Sequence, residues 1–200
     1  MKVYFYTRFE RFWHWVQAFL IIGMLVTGFE IHGTYNWLGF DKAMQWHNCF
    51  AASWGILYVF ILFWIAVTGE WKQYIPKLKN VSSMIIYYSF GIFTGMEHPA
   101  HKTPEAKHNP LQRLIYVSLL SILLPFQIGT GILYYIYNDW AALGLETTLS
   151  LKWISVLHTL GAFSLLAFVI VHMYMTTTGP TVFTYLKGML TGYEDEPAKK

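Results

Sequence analysis

Apolar positions along the chain gather into four runs, each close to the twenty or so residues that cross a hydrocarbon core of roughly 30 Å. They fall at about 12–32, 44–68, 111–137 and 152–178. One long connection, 69–110, is left between the second and third runs. Within it, Val81 to Met96 is apolar at many positions but short, polar at its ends and interrupted by glycine, which predicts a helix lying in the interface. The expected fold class is an all-α membrane protein, a four-transmembrane-helix bundle with an additional interfacial helix in the connection. The 200 residues are expected to form a single integral-membrane domain ending in a solvated, disordered tail at 193–200.

Composition agrees with the pattern. Apolar classes make up 55% of the chain and charged residues only 12%, against roughly a quarter in soluble domains. That excludes a water-soluble enzyme, a disordered chain and, at a net charge of +3, a nucleic-acid binder. The lone cysteine, Cys49, cannot form an intramolecular disulfide, a zinc cluster or a covalent haem link, and reads as a structural residue. Glu30-Ile31-His32-Gly33 offers no small-x-small cleavage pattern, so the first span is expected to be retained.

Charge sets the expected orientation. The N-terminus, the long connection with its exit and the C-terminus hold twelve of the fourteen Lys and Arg residues. The two short connections hold only Lys42 and Lys152, beside Glu30, Asp41, Asp139 and Glu146. Both termini are therefore expected in the cytoplasm, with the chain multi-pass in a bacterial inner membrane. Trp and Tyr crowd the predicted boundaries as interfacial belts do. Glycines 23, 28, 55, 129, 131 and 161 lie inside spans, either for close helix packing or as a wall against a flat macrocycle.

Four of eight histidines, His14, His47, His158 and His172, fall inside spans. A strongly polar side chain in hydrocarbon needs a partner, and carboxylates there are nearly absent. His158 and His172 are fourteen residues apart, a rise of about 21 Å and a net rotation of about 40° on one helix, so they point to the same side at two depths. Span direction places His14 level with His172 near the cytoplasm, and His47 level with His158 near the outer face. Two imidazoles at each of two depths describe bis-histidine ligation of two stacked b-type haems, an arrangement for electron transfer. Zinc or copper would want three or four ligands, and histidines satisfied by neighbouring protein groups are the remaining reading. His32, His98, His101 and His108 lie at span ends or in the connection; His98 and His101 read as a solvated pair.

These residues resemble the four-helix dihaem cytochrome b subunits of formate dehydrogenases, nickel–iron hydrogenases and thiosulfate reductases, a bacterial cytochrome b561-like family. The opening Arg8-Phe9-Glu10-Arg11-Phe12-Trp13-His14-Trp15 is similar to that family's approach to its first helix, and the His158–His172 spacing to its last. Lys107-His108-Asn109-Pro110-Leu111-Gln112-Arg113 resembles its K-Y-N-A-G-Q-K stretch, with Pro110-Leu111 replacing Ala-Gly. The resemblance implies an electron-transfer subunit carrying electrons between an iron–sulfur subunit, with its catalytic subunit, and the menaquinone or ubiquinone pool. It also implies a quinone site near His172, Asn109 and Gln112, close to water that supplies protons. Arg11 and Arg113 are candidates for haem-propionate contacts or for positive-inside anchoring. The alternatives are a stand-alone cytochrome b561 acting on quinone or a small redox molecule, and a haem-free scaffold or proton-coupled transporter.

Overall fold

A computed structural model describes residues 2–100, 103 and 106–195. The elements are β1 (Lys2–Tyr4), α1 (Arg8–Ile31), α2 (Phe40–Thr68), α3 (Val81–Ser89), α4 (Pro110–Ser118), α5 (Leu124–Tyr135), α6 (Leu151–Thr176), α7 (Thr184–Thr191) and β2 (Tyr193–Asp195). Four helical stretches are long and apolar enough to cross a membrane: α1, α2, the stretch Pro110–Tyr135 and α6. They coincide with the four predicted spans, and the long connection contains a helix where one was expected, α3 followed by a 3-10 turn at Gly91–Thr94. The outward-facing side chains include Phe12, Phe19, Phe60, Phe63 and Ile122, all exposed. Apolar surface on that scale suits lipid and not water. Cys49 is exposed as well and does not serve as a core residue.

Residues Met1–Val117 with His172–Lys200 form one compact unit, and Ser118–Val171 a second. In the first, α1 packs on α2. Gly23 permits this approach, since a Cβ there would lie 2.8 Å from the Phe50 ring. Helix α1 starts at a reciprocal cap: the Glu10 N–H donates to the Thr7 hydroxyl at 3.2 Å and the Thr7 N–H to the Glu10 carboxylate at 2.7 Å. Two orphan donors are thereby satisfied, so the helix begins about a turn earlier than the apolar run. The turn that leads into α2 is fixed by Glu30, buried at the end of α1. Its Oε1 accepts from the N–H groups of Trp37 (2.8 Å), Leu38 (2.5 Å) and Gly39 (2.8 Å), the three residues just ahead of the helix. Gly39 takes φ +84° to present its N–H, a conformation suited to glycine.

The tail differs from expectation. Tyr193–Asp195 are not disordered but pair antiparallel with Lys2–Tyr4 in a two-stranded sheet, Val3 opposite Glu194. Residues 196–200 lie outside the described residues. Glu194 is buried and its charge adds to burial in raising the Tyr6 and Tyr185 phenols above their ordinary value. An acid in a nominally solvated tail is thus folded against tyrosines that hold their protons.

In the second unit a π-helical turn, Leu119–Leu123, joins α5, with the Leu124 N–H bonding five residues back to the Leu119 carbonyl. Pro125 follows immediately. It lacks an N–H and its ring crowds the carbonyl four residues earlier, and a widened turn relieves that crowding. Trp140 is buried, its indole N–H donating to the Leu133 carbonyl at 3.0 Å, so it locks the end of α5 instead of joining an exposed belt.

Candidate functional site

Two of the four span histidines meet within the first unit. His14 on α1 and His172 on α6 face one another with ring centroids 6.1 Å apart and planes inclined by 48°. His14 is flanked by Trp13 and by the edge of Trp15, centroids 6.4 and 5.2 Å away. Its Nδ1 is buried with no hydrogen-bond partner. A buried imidazole nitrogen left unbonded costs free energy unless something ligates it. Metal–imidazole bonds of about 2 Å set the two ring centroids of a bis-histidine site roughly 6 Å apart. The observed pair therefore fits an iron between the rings. Among the described residues no three His, Cys, Asp or Glu side chains gather, and two imidazoles suit a porphyrin, which supplies the other four ligands.

The other two histidines share a local design. His47 on α2 rests against Thr27-Gly28 of α1. The Thr27 hydroxyl lies 3.0 Å from His47 Nδ1, and a Cβ at Gly28 would stand 3.6 Å from His47 Cε1. In the second unit, His158 on α6 rests against Thr130-Gly131 of α5. The Thr130 hydroxyl lies 3.1 Å from His158 Nδ1, and a Cβ at Gly131 would stand 3.1 Å from Cε1. Gln127 Nε2 lies 3.3 Å from both ring nitrogens of His158. These two glycines thus make room for imidazoles and Gly23 for a packed ring, while nothing stands within 4 Å of a Cβ at Gly55 or Gly129. Sequence reasoning missed Thr27, Thr130 and Gln127; the signal available to it was the Thr-Gly dipeptide recurring in the first and third spans.

The residues expected around a quinone cap α4. The Gln112 N–H donates to Asn109 Oδ1 at 2.8 Å and the Asn109 N–H to Gln112 Oε1 at 3.0 Å, a reciprocal cap with Pro110 at the first helical position. Asn109 Nδ2 also donates to the Tyr88 hydroxyl at 3.1 Å, and that hydroxyl lies 3.1 Å from His98 Nε2. His98 Nδ1 accepts from the Ala100 N–H at 3.2 Å, so His98 belongs to a network and is not a solvated ring; His101 lies outside the described residues. Burial, with Tyr185 and Tyr87 nearby, pushes the Tyr88 phenol well above its ordinary value. His32 caps the end of α1 with its N–H on the Gly28 carbonyl. His108 packs against Tyr74 and the edge of Tyr116.

Both candidate arginines engage backbone carbonyls. Arg11 Nη1 donates to the Leu190 carbonyl at 2.5 Å, at the end of α7, where a cation complements the helix dipole. Its Nε is buried without a partner. Arg113, buried, donates from Nε to the His108 carbonyl at 3.0 Å and from Nη1 to that of Lys72 at 3.5 Å. Lys107, also buried, binds the Glu10 carboxylate at 2.6 Å and lies 3.7 Å from that of Glu70. The connection is thereby tied to the first turn of α1, one helical turn before His14.

The profile of the prokaryotic cytochrome b561 family matches residues 5–192. The chain belongs to that family. A protein of Escherichia coli (strain K12) named "Putative cytochrome YdhU" is 30% identical over 202 aligned residues, covering 96% of this chain and 74% of the relative. A second relative, the "Probable Ni/Fe-hydrogenase B-type cytochrome subunit" of Cupriavidus necator, is 25% identical, covering 86% of this chain and 77% of its own length. No solved structure matches. This cytochrome b561 is a membrane b-type cytochrome, and membership implies haem b. The fit of His14 and His172 to such a group rests on their own geometry.

Proposed function

We propose that this cytochrome is the dihaem membrane-anchor subunit of a quinone-linked respiratory oxidoreductase, carrying electrons between an iron–sulfur partner subunit and the quinone pool. The facing pair His14 and His172 carries this reading. His47 and His158 hold the second haem, an assignment supported by their common depth in the sequence and their common Thr-Gly surroundings. Bound haem b supplies a reversible one-electron iron couple. An iron held by two imidazoles would keep no position open for oxygen, which favours electron transfer. Arg11, whose Nε is buried without a partner, is the better placed of the two arginines to meet a propionate, since Arg113 already donates to the His108 and Lys72 carbonyls.

The pairing of β1 with β2 supports an arrangement with both chain ends on one side of the membrane, and the positive-inside distribution makes that side the cytoplasm. Quinone reduction consumes protons with electrons. Asn109 and Gln112 cap α4, with Tyr88 and His98 behind Asn109, and a quinone bound beside this helix start would meet a hydrogen-bonded network close to water. The relative named as a Ni/Fe-hydrogenase subunit supports a separate catalytic partner, whose substrate never meets this chain.

Substitution tests the pairing. His14→Ala and His172→Ala should each remove the same half of the haem absorbance from the purified protein, and His47→Ala and His158→Ala the other half. Loss of one and the same haem from His14→Ala and His47→Ala would contradict the assignment.

A further inference from the structure

The geometry points to Thr27 and Thr130 as positioning residues that fix the tautomer of His47 and His158 and tune the iron each imidazole holds. The inference rests on the assignment of those histidines as ligands. A threonine hydroxyl has one proton. Thr27 Oγ1 lies 2.8 Å from the Gly23 carbonyl, and Thr130 Oγ1 lies 2.9 Å from the Phe126 carbonyl, four residues back in each helix. A carbonyl only accepts, and two oxygens at such a distance repel without a proton between them. Each hydroxyl proton therefore goes to its own helix backbone.

What remains on each threonine oxygen is lone pairs, and these face His47 Nδ1 at 3.0 Å and His158 Nδ1 at 3.1 Å. The imidazole must then be the donor. Nδ1 carries the N–H, which puts the ring's lone pair on Nε2, the nitrogen that would ligate iron; at His158 the Gln127 amide nitrogen, 3.3 Å from Nε2, donates to that lone pair and would give way to the metal. A glycine lies beside each ring: an added Cβ would stand 3.6 Å from His47 Cε1, an ordinary contact, and 3.1 Å from His158 Cε1, where it would crowd the ring. The same Thr-Gly arrangement occurs on two different helices against two different histidines, so it does not depend on one local accident of packing. His14 contrasts with both, its Nδ1 being buried without a hydrogen bond.

Donation from Nδ1–H to an oxygen makes the opposite nitrogen a more basic ligand. A more basic ligand favours ferric over ferrous iron. Removing the acceptor therefore raises the midpoint potential of the haem concerned and loosens its grip. A tenfold loss of ferric preference equals about 59 mV for a one-electron couple.

The test is a spectroelectrochemical titration of the full-length protein purified with its haem, comparing Thr27→Val, Thr27→Ala and Thr27→Ser, and the same three at Thr130. Val and Ala should raise the potential of one haem by about a factor of ten in the ferric–ferrous equilibrium and leave the other unmoved. Ser, which keeps the oxygen, should restore the original value. Equal potentials in the Val, Ala and Ser proteins would overturn the inference, as would a shift that Ser fails to rescue. His47→Ala and His158→Ala, titrated alongside, separate the two levels: if they keep both haems, the ligand assignment itself fails, whatever the threonine variants do.

Discussion

At the scale of single residues, the four span histidines were legible because polar groups in hydrocarbon are conspicuous, whereas their supports were not. A threonine or glycine in an apolar helix has bland explanations, and only coordinates show Thr27-Gly28 and Thr130-Gly131 lying against imidazoles. The two glycines differ in how much room they leave. At Gly28 an added Cβ would stand 3.6 Å from His47, an ordinary contact, but at Gly131 it would stand 3.1 Å from His158, and the ring would have to move. Gly131→Ala should therefore shift the reduced absorption band and potential of the haem held by His158, while Gly28→Ala leaves the spectrum close to that of the unmodified protein. Visible spectroscopy of the two purified variants checks this. Asn109 and Gln112 show the reverse case: sequence marked them as polar groups at a membrane boundary, and the structure uses both to cap α4. A capping pair and a ligand contact use the same residue types, so spacing alone could not tell them apart.

Elements were legible where length decided. All four spans were visible in the apolar runs, yet α1 and α2 start earlier than those runs. Arg8, Glu10, Asp41 and Lys42 break the hydrophobic pattern but sit in helical first turns; the reciprocal Thr7–Glu10 cap satisfies the backbone at the start of α1, and the Glu30 carboxylate fixes the turn just ahead of α2. The sequence reading counted Glu30 as one more acid in a short connection; its three backbone donors come from residues seven to nine positions on, a separation no local pattern announces. Glu30→Ala should destabilise the first helical pair by about 2 kcal/mol, because three N–H groups in the turn leading into α2 lose one charged acceptor, itself buried. Chemical denaturation in detergent, followed by helical circular dichroism, measures the loss. A midpoint unchanged from the parent protein would show that solvent or another group takes over the cap.

For the whole molecule, composition was enough to place the chain in a membrane, and the ordered set of histidines was enough to suggest its family, which the match over residues 5–192 establishes. The short pairing of β1 with β2 was not foreseen, because three-residue strands at the two ends of the chain share no periodicity that a linear reading can detect. It ties the two strands near the chain ends together, with Arg11, Lys107 and Glu194 each folded into contacts within the same unit. The account's central claim is that paired imidazoles at two depths hold two haems and so connect one membrane surface to the other. Haem quantification per polypeptide on the purified native complex, with its reduced-minus-oxidised spectrum, tests this most directly. Two low-spin haems b per copy of this chain are expected; a single haem, or a colourless protein after expression with ample haem supply, would contradict the claim.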